Sequence, residues 1–294
     1  MKARFVLRSR PGAGLDPARA FTHLALILLC LAWILPTLGL LVSSFRPVHR
    51  VLDSGWWTVF LTPLEFTQLT LDNYREVFAQ TGIGRSFWNS VVIAIPATLL
   101  PMLLGALAAF AFAWFDFPGR RWLYLAVVTL LVVPLQMTMI PVLRLYNALG
   151  LSGTFAGIWL AHTAYGLPFA IYLLRNFFAS LPGSLFEAAY IDGAGPVTAF
   201  LYLALPMSGS ALASLGIFQF LWVWNDLLVA LIYLGGTPNV APLTLTLSNL
   251  VGSYGQDWHL LTAAAFVTMA VPLAVFFSLQ RYFVRGILAG SVKG

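Results

Sequence analysis

The sequence contains few charged residues. Only 9% of its 294 residues are Asp, Glu, Lys or Arg, whereas a soluble domain usually carries about a quarter. Hydrophobic residues make up 60% of the chain, and the mean hydropathy is +0.87. The long apolar runs lack the polar alternation of membrane β-barrel strands, so the membrane-spanning structure must be helical. We therefore predict an all-α membrane protein.

The chain also lacks the residues that several kinds of active site require. Its single cysteine, Cys30, excludes a disulfide or a cysteine-based metal site within the chain. The four histidines are scattered, so they do not have the spacing of a metal site. No Gly-x-x-x-x-Gly-Lys-Ser/Thr sequence is present, and no nucleophile–base pair is recognisable. We expect this chain to have no catalytic residue, no metal site and no cofactor of its own.

Six apolar runs are long enough to cross a bilayer as helices. We predict membrane spans at about 21–42, 87–115, 122–143, 155–174, 207–234 and 260–283. The predicted organisation is a tail at 1–20, the first span with an extracytoplasmic loop at 21–86, a core at 87–284 and a second tail at 285–294. The segment 235–259 is predicted to be a polar loop.

The distribution of basic residues predicts the orientation of the spans. Segments 1–20, 116–121, 175–206 and 281–294 carry five, two, one and three Lys or Arg residues, eleven together, against five on the other side. The positive-inside rule therefore places both termini and the segment 175–206 in the cytoplasm. Because the basic residues flank apolar spans, the net charge of +6 does not indicate nucleic-acid binding.

The segment 187–206, EAAYIDGAGPVTAFLYLALP, is unusual in this apolar chain. The run from Glu187 to Asp192 predicts a short helix whose small residues, Ala188 and Ala189, leave room for another protein. The Gly193-Ala194-Gly195-Pro196 run predicts a break in that helix, because glycine is permissive and proline cannot continue the helical hydrogen-bond ladder. A second helical piece then leads back into the membrane. We call the segment 187–206 the elbow.

The spacing within the elbow resembles the EAA loop of bacterial ABC-importer permeases, which reads E-A-A, three residues, G, nine residues and I-x-L-P. Six residues are in register, and Leu203 replaces the usual Ile; the six are Glu187, Ala188, Ala189, Gly193, Leu205 and Pro206. The IDGA sequence at 191–194 resembles the carbohydrate-uptake branch. The resemblance implies a type I importer permease fold in a bacterial cytoplasmic membrane. It also implies an ATPase-coupling role for Glu187, Ala188, Ala189, Asp192, Gly193 and Gly195.

Other segments resemble the maltose-type second permease of that family. They include Trp224-Asn225-Asp226 and the C-terminal residues Ser291, Val292, Lys293 and Gly294. The resemblance implies that these four C-terminal residues contact the ATPase. It implies as partners a heterologous second permease, two ATPase subunits, an extracytoplasmic sugar-binding protein and membrane lipid. ATP and magnesium would be bound by the partner ATPase.

One polar cluster falls within the predicted fifth span. Gln219, Trp222, Asn225 and Asp226 either line a sugar path, where aromatic faces and amide or carboxylate groups meet hydroxyls, or fix helix packing through hydrogen bonds. His162 and Tyr165 are predicted to be packing residues.

The function predicted from the sequence is that of a non-catalytic permease subunit of an ATP-driven sugar importer, working by alternating access. One alternative is an importer of glycerol phosphate or another small solute. A second is a stand-alone secondary transporter, which would need intramembrane carboxylates for ion coupling. A purely structural membrane protein would leave the elbow unexplained.

Overall fold

The computed structural model describes residues 17–62, 65–253 and 258–291, and no strand occurs within these ranges. The helices are α1 (Pro17–Ser44), α2 (Val48–Asp53), α3 (Asp72–Gln80), α4 (Ile83–Trp114), α5 (Arg120–Thr129), α6 (Leu135–Leu149), α7 (Phe155–Phe178), α8 (Gly183–Ile191), α9 (Pro196–Met207), α10 (Gly209–Trp224), α11 (Leu228–Leu234), α12 (Leu243–Ser253) and α13 (Trp258–Ser291). Short 3-10 turns lie at Trp56–Phe60, Phe66–Gln68 and Leu130–Val132, and α9 contains a π-helical turn at Phe200–Ala204.

Four of these helices are long and apolar enough to cross a membrane: α1, α4, α7 and the part of α13 at Trp258–Gln280. Two bent helix pairs, α5–α6 and α9–α10, bring the number to six if each pair is one span. The all-α architecture is therefore confirmed, and the six predicted spans correspond to four continuous helices and two bent pairs. The described helices begin or end within about eight residues of most predicted span boundaries.

The third predicted span, 122–143, is a bent pair of helices, α5 and α6. The axes of its two parts differ by 101°, and the break lies at Val133 and Pro134. Val133 has extended backbone angles, φ −70° and ψ 118°. Proline disfavours the helical conformation of the residue before it, so Pro134 ends one helix and begins the next.

The fifth predicted span, 207–234, is wrong as a continuous helix. Its entry is bent by 76° at Ser208, between α9 and α10. At the other end, α10 stops at Trp224, and the segment 225–227 separates it from α11. Asn225 and Asp226 therefore lie in a break and not inside an apolar helix.

The segment 235–259, predicted to be a loop, contains α12, whose Leu243, Leu245 and Leu250 are buried against the neighbouring helices.

The predicted boundary of the C-terminal tail at 285 is not seen in the backbone. α13 continues through this position to Ser291, without interruption. The last three residues, Val292, Lys293 and Gly294, lie outside the described residues, as does most of the N-terminal tail.

The helix pair α4–α7 forms the centre of the fold. A Cβ atom at Gly105 would lie 2.7 Å from the Cβ of Ala170, so the two helices can approach this closely only because residue 105 is glycine. Small residues at such contacts are typical of membrane helices, which associate by close packing. Aromatic side chains fill the elbow end of this pair. A second buried cluster, which includes Ile93, Ile158 and Tyr233, fills the opposite end.

Candidate functional site

One aromatic side chain, Phe186, attaches α8 to the membrane body. Phe186 is 1% exposed, and its ring stacks on Trp114 at the end of α4, with ring centroids 4.0 Å apart. Phe110 and Phe200 belong to the same buried cluster. An isolated nine-residue helix is not stable in water, so the order of α8 must come from this packing.

The remaining face of α8 is open. Glu187 and Ala188 are exposed, Ala189 is half-buried, and Ile191 is 85% exposed. An apolar side chain as exposed as Ile191, at the end of a helix whose opposite face is anchored, offers a surface that a second protein can cover.

Gly193 ends α8 in a Schellman motif. The Ala194 N–H donates to the Ala189 carbonyl at 2.9 Å, and the Gly193 N–H donates to the Tyr190 carbonyl at 3.1 Å. Gly193 has φ +85°, a left-handed conformation that costs other L-residues about 1 kcal/mol or more. A Cβ atom there would meet nothing within 4 Å. Within this chain, glycine is therefore required by the backbone turn and not by the proximity of another atom.

The chain re-enters the membrane body directly after this turn. Exposed Asp192 follows the last residue of α8, and exposed Gly195 precedes Pro196, the first residue of α9. Proline is favourable at this position because its missing N–H would have no partner in the first turn. The π-helical turn and the bend at Ser208 follow within one short segment, so the path from α8 to α10 changes direction several times.

Gln219 and Trp222 lie on a groove of about 270 Å³ between the middle of α7 and the C-terminal half of α10. The groove is lined by Tyr165, Gly166, Phe169, Phe218, Gln219 and Trp222. Phe169, Phe218 and Trp222 are 37%, 46% and 36% exposed, so aromatic faces dominate its open surface. None of the six lining residues carries a charge.

Gln219 is held at the base of this groove. Its side-chain NH₂ donates to the Ala97 carbonyl of α4 at 3.2 Å, and the residue is 5% exposed. A Cβ atom at Gly166 would lie 2.6 Å from the Gln219 amide, so glycine at 166 leaves the space that this amide occupies.

The structure separates Asn225 and Asp226 from the groove-lining pair. The Asn225 amide donates to the Leu221 carbonyl of its own helix at 2.8 Å. The Asp226 carboxylate accepts the Val229 and Ala230 N–H groups at 3.2 and 3.0 Å, so it caps the beginning of α11. Of the four predicted path residues, two therefore line the groove and two stabilise the helix break.

Sequence reasoning did not assign four of the six groove residues, Tyr165, Gly166, Phe169 and Phe218, to this site, and it missed the anchor of the elbow. Tyr165 and Phe169 are four residues apart on α7, as are Phe218 and Trp222 on α10. That spacing places each pair on one helix face, so the two aromatic pairs could have been identified from the sequence. Nothing local distinguishes Phe186 from the other phenylalanines, because its partner, Trp114, is 72 residues away.

A body of bent and continuous candidate spans with an exposed helical elbow defines a multi-pass membrane protein. The sequence pattern described as "Binding-protein-dependent transport system inner membrane component" matches residues 102–289. The chain belongs to this family and is a multi-pass component of the cytoplasmic membrane.

Two curated relatives are similar over nearly the whole chain. The osmoprotective compounds uptake permease protein GgtD of Synechocystis sp. is 62% identical, over 92% of this chain and 91% of the relative. The alpha-glucoside transport system permease protein AglG of Rhizobium meliloti is 42% identical, over 95% and 98%.

A solved structure has the same fold. It is a crystal structure of a bacterial ABC transporter involved in the import of the acidic polysaccharide alginate, which matches with a TM-score of 0.73 over 93% of this chain and 100% of that chain. The two sequences are 20% identical. This likeness supports the ABC-importer permease fold, which the elbow sequence predicted.

Proposed function

We propose that this chain is a permease subunit that moves a neutral, hydroxyl-rich solute, a sugar or sugar-like compound, across the cytoplasmic membrane. ATP-binding-cassette ATPases would supply the energy. The observation that carries the proposal is the elbow: an exposed helix, anchored by one aromatic residue, on a chain of the binding-protein-dependent family.

The elbow is proposed to be the ATPase-coupling site. Glu187, Ala188 and Ala189 lie on the open face of α8, while Asp192, Gly193 and Gly195 form the turn that follows. A rigid body that pushes on this face would displace α8, and the Phe186–Trp114 stack would transmit the displacement to α4. The predicted cytoplasmic orientation of the elbow is part of this proposal.

The composition of the groove supports a neutral solute. Aromatic faces and one amide are suited to the apolar faces and hydroxyl groups of a sugar, and the groove lies midway along the spanning helix α7, where transporter sites are commonly found. The names of the two relatives, which refer to osmoprotective compounds and alpha-glucosides, fit the same class of solute. A phosphate ester would require cationic residues, and none of the lining residues is a cation.

Alternating access is the proposed mechanism. The proposed hinges, about which segments of the body would rotate relative to one another, are the bends at Ser208 and Pro134. Partners of the proposed complex are a second, heterologous permease, two ATPase subunits that bind ATP and magnesium, and an extracytoplasmic binding protein.

A secondary transporter is less well supported, because the Asp226 carboxylate already caps α11.

Uptake by proteoliposomes that contain the assembled transporter tests the proposal. Uptake of a labelled α-glucoside should require enclosed ATP and should persist when a protonophore removes the ion gradient. Trp222→Ala should raise the KM for the solute, whereas Trp33→Ala, at a tryptophan of α1 that is 78% exposed, should leave it unchanged. Uptake that requires the ion gradient and not ATP would refute the proposal.

A further inference from the structure

A buried histidine lies close to the break between α10 and α11. His162 of α7 is fully buried, and neither of its ring nitrogens has a hydrogen-bond partner among the described residues. Its Nε2 atom is 3.7 Å from Oδ2 of Asp226. This distance is too long for a direct hydrogen bond.

A small cavity separates α7 from this break. Its volume is about 10 Å³, and its polar lining residues are Ser90, His162 and Asp226. A cavity of roughly this size, with two to four polar partners, is what one buried water molecule requires. The Ser90 Oγ atom accepts the Leu243 N–H at 2.8 Å, so its own hydroxyl proton remains available to donate.

We propose that this cavity binds one ordered water molecule, which joins His162 to Asp226 and holds Trp222 in position on the groove wall. The water accepts hydrogen bonds from the His162 Nε2–H and the Ser90 hydroxyl, and it donates one to the Asp226 carboxylate. A water oxygen about 2.8 Å from both the His162 Nε2 atom and the Asp226 Oδ2 atom would lie to one side of the 3.7 Å line that joins these two atoms.

The connection to the groove runs through aromatic packing. The rings of His162 and Trp222 meet edge to face, with centroids 5.2 Å apart and an interplanar angle of 89°. A water bridge that fixes the His162 ring also fixes the surface on which Trp222 packs. His162 is then a positioning residue for a groove whose role in solute binding rests on the proposed function.

The water site and the positioning role are tested by separate measurements. A structure of the assembled complex, at a resolution that reveals ordered water, should contain a density peak within hydrogen-bond distance of both His162 and Asp226. A double-mutant cycle with His162→Phe and Asp226→Ala should give a Tm loss smaller than the sum of the two single losses, because each variant removes one end of the same bridge. An empty cavity, or additive losses, would overturn the water bridge.

The transport assay tests the positioning role. His162→Phe should raise the KM for the solute several-fold with little change in maximal rate, and His162→Gln, which keeps a polar group, should restore part of the affinity. His259→Phe is the matched control, because His259 is also buried, at 7% exposure, but lies on α13. An unchanged KM in His162→Phe would overturn the positioning role, and a complex that takes up no solute even in its unmutated form would count against the proposed function instead.

Discussion

Replacing Phe186 by alanine should detach the elbow helix from the membrane body. The side chain is 1% exposed and stacks on Trp114, so the substitution removes a complete aromatic contact. Phe→Ala changes in cores cost about 3–5 kcal/mol. A loss of about 3 kcal/mol lowers the equilibrium constant for docking of α8 by roughly a hundredfold. Because α8 has nine residues, it has little helical stability of its own to offset that loss.

The assay compares ATPase co-purification and ATP-driven uptake for Phe186→Ala, Phe186→Leu and Leu185→Ala. Leu185 is the neighbouring residue on α8 and is 44% exposed, so its truncation removes similar apolar bulk without removing the anchor. We expect Phe186→Ala to insert in the membrane but to lose ATPase retention and uptake, with Phe186→Leu intermediate and Leu185→Ala close to unmutated protein. Full retention and uptake in Phe186→Ala would refute the reasoning that Phe186 anchors the elbow.

Three further predictions concern the elbow and the termini. Gly193→Val should weaken coupling more than Gly193→Asn, since Asn tolerates positive φ better; equal uptake by the two variants would contradict the Schellman assignment. Reporter fusions after Trp57 should read as extracytoplasmic, and fusions at Gly195 or after the last residue as cytoplasmic; a reversed signal at Gly195 would contradict the orientation. Deleting 288–294 should leave insertion intact but lower ATPase co-purification, and an unchanged yield of ATPase would exclude a role for the tail.

The elements that local sequence determines were predictable. Uninterrupted apolar runs define the spans, because in lipid the backbone N–H and C=O groups must hydrogen-bond to one another within the helix. The elbow was predictable for a similar reason, since Gly193 and Pro196 restrict the backbone wherever they occur. The bend at Pro134 follows from the same chemistry, because a proline inside an apolar run predicts a kink or a break.

The break after Trp224 could not be predicted, because long-range contacts stabilise it. The Trp224 indole N–H donates to the Thr268 carbonyl of α13 at 3.1 Å, and the Thr244 hydroxyl donates to the Asp226 carbonyl at 2.6 Å. These partners fix the end of α10 and orient Asp226 to cap α11. In the sequence, Asn225 and Asp226 have apolar runs on both sides, a pattern that predicts an uninterrupted helix.

The groove and the buried pair depend on which helices become neighbours. Each aromatic pair has helical spacing in the sequence, but only the packing of α7 against α10 brings Phe169 and Phe218 to the same groove, with ring centroids 6.4 Å apart. His162 and Asp226 are 64 residues apart and meet only because the break turns Asp226 toward α7.

Site-directed crosslinking tests most directly the central claim, that the elbow contacts an ATPase. In a Cys30→Ser background, a photoreactive thiol reagent would be attached at Ala188→Cys, which lies on the exposed face of α8, and at Leu61→Cys, which is 73% exposed at the opposite end of the body. We predict an adduct between the Ala188→Cys variant and the ATPase, and none from Leu61→Cys. ATP-driven uptake by the Ala188→Cys complex without such an adduct would contradict the claim.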